Sequence, residues 1–86
     1  MPRYFFDVSD GDTILVADTE GQEMSAEEAR REAIGVLPQY ARDVLPDGDE
    51  RVFVCYVHDG QGRGIFRARL MLSAQWLVDP GSLRGR

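Results

Sequence analysis

One capped amphipathic helix segment lies between two pairs of β-like runs, and that order leaves few architectures open to the chain. Ser25 stands three residues before Glu28, so the Ser25 hydroxyl can accept from the Glu28 amide while the Glu28 carboxylate accepts from the Ser25 amide. Glu27 and Glu28 also suit the positive end of a helix. Beyond this start, Ala26, Ala29, Ala33, Leu37, Tyr40 and Val44, with Ile34, Ala41 and Leu45 beside them, recur at helical steps as a broad apolar stripe. Glu27, Arg31, Glu32, Gln39, Arg42 and Asp43 fill the wet side. Such a helix needs a sheet to cover, and the small side chains at 29 and 33 permit close approach. Pro38 cannot donate to the Ile34 carbonyl and predicts a kink or brief interruption, and Pro46-Asp47-Gly48-Asp49 supplies the exit turn.

The flanking runs have strand character. Arg3 to Val8 is aromatic and β-branched and stops at Ser9-Asp10-Gly11-Asp12, a hairpin-turn signal, after which Ile14 to Ala17 returns. Asp18 to Glu23 reads as a loop. Arg51 to His58 is the strongest strand, with Val52, Val54 and Tyr56 on one face and Phe53, Cys55 and Val57 on the other, which suits a central position. Asp59-Gly60-Gln61-Gly62 makes the second hairpin. In the strand after it, Phe66, Ala68, Leu70, Leu72, Ala74 and Trp76 are expected to face the core and Arg67, Arg69, Met71 and Ser73 to face away. The predicted fold is α+β with order β-β-α-β-β: a four-stranded antiparallel sheet carrying one Pro-kinked helix on one face. A single domain is expected over residues 1–78, with 79–86 as a flexible tail.

Composition narrows the function classes. Eighty-six residues accommodate one small core, with no disulfide or metal framework to support it, so self-association is a natural supplement. All ten basic residues are Arg, and the net charge of −5 disfavours general nucleic-acid binding. Charge is uneven along the chain, acidic over residues 1–50 and basic over 51–86, which implies a dipolar molecule able to orient a partner or a second copy. No apolar window reaches the ~18 to 20 residues of a membrane span, and the first ten residues lack signal-peptide features. A soluble, cytoplasmic protein without a membrane association is the expectation.

The opening Met1-Pro-Arg-Tyr-Phe-Phe-Asp-Val, the Asp10-Gly11 turn, Asp18-Thr-Glu-Gly21, the helix Ala26-Glu-Glu-Ala-Arg-Arg-Glu-Ala33 and the Pro46-Asp47-Gly48-Asp49 exit together resemble a family of small bacterial proteins. That family is common in rhizobia and related alphaproteobacteria and is catalogued as a domain of unknown function, DUF6894. The resemblance covers residues 1 to about 75 and implies no activity. More remotely, two strands, an acidic loop and a Ser-x-Glu-Glu-Ala helix start resemble the HicB-type antitoxin half-fold, which implies a partner-binding or regulatory role. The chain lacks that fold's third strand before the helix, and no DNA-binding helix follows.

No constellation of residues carries catalysis or ligand binding. His58 and Cys55 are three apart on one strand and therefore point to opposite faces, and one His with one Cys leaves too few ligands for zinc. Cys55 reads as a small buried hydrophobe. Asp7, Asp10 and Asp12 lack the spacing of a calcium loop and read as turn formers, as do Asp47, Asp49 and Glu50. Gly60-Gln-Gly62-Arg-Gly64 precedes a strand, whereas phosphate loops open a helix. The expectation is a non-enzymatic module without catalytic residues, cofactor or metal, pairing with itself or another protein. The expected interaction face, turned away from the helix, comprises Phe5, some of Phe53, Cys55 and Val57, and Met71, ringed by Arg67 and Arg69. Antitoxin-like regulation, RNA binding on the Arg-lined face, and a small-molecule or catalytic pocket around Asp7, Tyr56 or His58 are the alternatives.

Overall fold

The computed structural model describes residues 1–84. Its elements are β1 (Arg3–Ser9), β2 (Ile14–Val16), β3 (Gln22–Glu23), α1 (Ala26–Val44), β4 (Glu50–Asp59), β5 (Gly64–Ser73) and a 3-10 turn, Pro80–Leu83. All strand pairs are antiparallel, in the order β2-β1-β4-β5, and β3 also pairs with β1. β1 and β4 are thus the inner strands.

Two predicted features of the element order are corrected. The sheet has five strands, because the stretch read as a loop from Asp18 to Glu23 contains the two-residue β3, paired Arg3 to Glu23 and Tyr4 to Gln22. A two-residue strand has no alternation to reveal it. Second, no interruption occurs at Pro38, since α1 continues through it from Ala26 to Val44. The lost bond falls near exposed Ile34, where water can satisfy the freed carbonyl.

The helix begins as its sequence dictates: Ser25 Oγ accepts from the Glu28 amide at 3.1 Å, and Glu28 Oε1 accepts from the Ser25 amide at 2.9 Å. Ala29, Ala33, Leu37 and Ala41 are buried, one every four residues, while Val36, Tyr40 and Val44 pack at the margin. They rest on Tyr4 and Val8 of β1 and Phe53, Cys55 and Val57 of β4. Ile34 lies outside this stripe and is exposed.

Strand register sets which side chains meet the helix. Phe6 pairs with Val57 and Val8 with Cys55, while Val57, Cys55 and Phe53 pair with Phe66, Ala68 and Leu70 of β5. The core face therefore combines even positions of β1 and β5 with odd positions of β4. Phe53, Cys55 and Val57 are buried under α1, which removes them from the expected interaction face. β5 ends at Ser73, so Ala74 and Trp76 do not join the core as the alternation suggested; both are exposed. Of the expected tail 79–86, Pro80–Leu83 forms a turn capped by Asp79, whose Oδ1 accepts from the Gly81 amide at 3.0 Å. Residues 85 and 86 lie outside the described residues.

Phe53→Ala is predicted to lower the unfolding free energy by ~3–5 kcal/mol, the cost of a cavity at a close-packed site. Ile34→Ala is predicted to stay within ~0.5 kcal/mol, because this side chain lies outside the core. Urea denaturation of the two variants measures the contrast.

Candidate functional site

The sheet face opposite α1 is built from odd positions of β1 and β5 and even positions of β4. It carries Phe5 and Asp7, then Val52, Val54, Tyr56 and His58, then Arg67, Arg69 and Met71. Sequence reasoning placed Phe5, Met71, Arg67 and Arg69 on this face, and the structure brings them there. It missed Val52 and Val54 as members. The signal lay in β4 itself, where Tyr56 and His58 share the parity of Val52 and Val54, so that parity is the more polar one.

A row of rings crosses one end of the face. His58 stacks on Phe5 with centroids 5.3 Å apart and planes at 11°, and on Tyr56 at 5.7 Å and 28°. Its Nε2 lies 3.1 Å from Asp7 Oδ2, and its Nδ1 lies 3.2 Å from the Asp59 carbonyl. The β4–β5 ladder shifts register beside His58: Val57 pairs with Phe66 but His58 with Gly64, so Ile65 of β5 is the extra residue and β4 keeps its alternation. Cys55 and His58 consequently face opposite sides of the sheet. Burial, then the Asp7 and Glu32 carboxylates, push the Cys55 thiol up to about 11, which leaves it protonated near neutral pH.

Glycine backbones approach this face closely. A Cβ on Gly11 would lie 2.8 Å from Val52 Cγ1, and one on Gly21 would lie 2.8 Å from the Phe5 ring; both residues have positive φ. Phe5 and Val52 are half covered in this way. Tyr56 is 40 % exposed, and Met71 is 69 % exposed. Neither Arg67 nor Arg69 is in an ion pair among the described residues. Beyond the face, a cleft of about 560 Å³ opens between the Asp10–Asp12 turn and the ends of β4 and β5, lined in part by Val52, Met71 and Leu72. A smaller one of about 180 Å³ lies beside the helix against Phe6, Val16, Val36 and Tyr40. Neither includes Asp7, Tyr56 or His58.

The carboxylates of the β1–β2 region serve the backbone. Asp10 Oδ1 accepts from the amides of Asp12 and Thr13, and its Oδ2 lies 3.1 Å from an Arg51 nitrogen. Asp18 bridges the gap between β2 and β3: its Oδ2 accepts from the Phe6 amide at 3.0 Å, and its Oδ1 accepts from Glu20 and Gly21. Its own amide donates to Asp7 Oδ1 at 2.9 Å, so Asp7 holds both the loop and His58. Burial works to raise the Asp18 pKa, but the amides of Gly21, Phe6 and Glu20, with nearby His58, outweigh it and hold the group below its ordinary 3.8. No group of three or more His, Cys, Asp or Glu among the described residues could hold a metal ion, and no described helix is long and apolar enough to cross a membrane.

Because the folded-state pKa of Asp18 is depressed, its contribution to stability is present above about pH 4 and lost as the pH falls through the lower folded value. Asp18→Asn also sets an amide nitrogen against backbone donors. The variant is predicted to melt below the parent at neutral pH, with the difference narrowing toward about pH 2. Thermal unfolding at the two pH values measures this.

No curated protein and no solved structure matches the chain. A family model, described as a domain of unknown function (DUF6894), matches residues 3–71. That span takes in β1 to β4, the helix and all but the last two residues of β5, and on this match the chain belongs to the DUF6894 family.

Proposed function

We propose that the chain is a non-enzymatic interaction module that pairs with a second copy of itself through the open sheet face. The observation carrying this reading is that Val54, Tyr56 and Met71 share a face that no described helix covers. One helix is about 10 Å wide with its side chains, and four strands at ~4.8 Å spacing need a second layer to hide both sides. A second sheet supplies that layer at ~10 Å separation, as in face-to-face sheet packing.

The charges on the face favour a like partner. Asp7 stands toward the β1 side and Arg67 and Arg69 on the β5 side, so a two-fold rotation brings the basic margin of one copy toward the acidic margin of the other. The same arrangement argues against chemistry at this face. His58 is held between two rings and tied to Asp7, and the thiol lies under the helix, so this imidazole and this thiol do not meet.

Sedimentation equilibrium of the full chain at micromolar concentration is expected to give twice the 9.7 kDa chain mass. Tyr56→Glu is expected to shift the equilibrium to monomer, because it sets a charge against a like surface. A parent protein of single-chain mass at these concentrations would contradict the reading.

A further inference from the structure

The segment after β5 leaves the body of the molecule. Ala74 donates its amide to the Asp49 carbonyl at 2.8 Å, one step beyond the last β4–β5 pair of Glu50 with Ser73. The chain thus continues past the end of the sheet, where Gln75 and Trp76 lie beside Asp49. Past this point Trp76 is 65 % exposed and Leu77 88 %, and Val78 and Leu83 are exposed as well. The Pro80–Leu83 turn is closed by its own Asp79 and touches no other element. The family match stops at Met71, before this arm begins.

The arm gives the chain an unusual shape for one molecule. The radius of gyration is 17.0 Å and the longest extent 60 Å, where a compact chain of this length has a radius of about 12 Å. The accessible surface is 6414 Å², against about 5,100 Å² for a compact monomer of this mass, an excess of roughly 1,300 Å². That excess exceeds the ~800 Å² that each partner buries in a standard interface. Four large apolar side chains held in water on one arm require cover.

The body presents a matching site at the end from which the arm departs. The cleft of about 560 Å³ has Val52, Met71 and Leu72 as its apolar part, and Asp10, Asp12 and Glu50, with Arg51, among its polar lining. The arm's own copy is poorly placed to use it. Leu72 and Ser73 line the cleft, so the chain would have to double back between Ala74 and Trp76, where there is no glycine before Gly81. A facing copy meets no such constraint. With Ala74 to Asp79 extended at ~3.3 Å per residue and the Pro80–Leu83 turn rising ~2.0 Å per residue, the arm reaches up to ~28 Å, enough to cross to a neighbour.

We infer that the arm of one copy lies in the cleft of a second copy, with Trp76 and Leu77 against Met71 and Val52 and with Arg84 toward the carboxylates of its lining. This inference rests on the self-pairing proposed above and names the segment that secures it. In a two-fold pair the contact is made twice. Each buried Trp adds ~150–250 Å² to an interface that the open face begins. Arg84 meets a lining of three carboxylates and one guanidinium, so the contact weakens as salt rises.

The test uses full-length chains. Trp76→Ser, at a site outside the core, is expected to keep the parent's circular dichroism and to weaken the dimer by about tenfold or more in sedimentation, as loss of an interface anchor does. Isotope-labelled Trp76→Cys chains mixed with unlabelled Met71→Cys chains are expected to form a mixed disulfide under mild oxidation, identified by mass. A dimer that Trp76→Ser leaves unchanged, with no mixed disulfide, overturns the arm exchange while the pairing of sheet faces stands. A disulfide formed only inside one chain, when both cysteines are placed together, overturns it as well, since the arm then folds back. A parent chain that stays monomeric overturns both readings.

Discussion

The packing of the alanine seam of α1 against the centre of the sheet governs the remainder of the structure. Ala29 and Ala33 have no side-chain bulk to hold the helix away, so α1 settles directly over Phe53, Cys55 and Val57 and over the core side of β5. Phe53 supplies volume where the helix supplies none. The arrangement gives a dry core on one side of the sheet and commits the other side to solvent or to a partner. A single helix on a sheet with four strands abreast has no further element to spend on the second face.

Loops do part of that work. Gly21 lies against the Phe5 ring and Gly11 against Val52, each at a backbone conformation that favours glycine, so two open-face side chains are partly roofed by main chain. Asp18 makes this possible by standing in for the missing strand between β2 and β3 and accepting the Phe6 amide that would otherwise be unpaired on that edge. Asp7 ties the Asp18 amide to the His58 ring, so the acidic β1–β2 region and the ring row hold each other in place. The only histidine and several of the acidic residues are thus tied into the structure, Asp7 marks the acidic margin of the face, and Tyr56, Met71, Arg67 and Arg69 are its exposed members.

Much of this was legible in the sequence. The Ser25–Glu28 box, the four-residue spacing of Ala29, Ala33, Leu37 and Ala41, and the Asp-Gly and Gly-Gln-Gly turns are local signals, and they place the helix and both hairpins. The side to which β4 turns was only weakly legible from its own residues, because both parities are largely apolar and only Tyr56 and His58 mark the even one as the more polar. Register with β1 and β5 decides it, and register is a property of paired strands. Phe53, Cys55 and Val57 were accordingly assigned to the wrong face. β3 escaped notice for a related reason: two residues carry no period, and only the pairing with Arg3 and Tyr4 defines them. The apolar alternation through Ala74 and Trp76 carried on past the strand's end because alternation records spacing and not the presence of a partner to cover it.

An uncovered sheet face and an arm that projects from the same end of that sheet give one molecule two features that a second copy would resolve together. The most direct measurement is an isotope-filtered nuclear Overhauser experiment on an equal mixture of labelled and unlabelled full-length chains, read at the methyl groups of Val52, Val54 and Met71. Self-pairing through the open face predicts intermolecular cross-peaks from these methyls to protons of Tyr56 or Trp76, and none from the buried methyls of Val57. Absence of any intermolecular cross-peak, with a tumbling time matching a single chain, would contradict it.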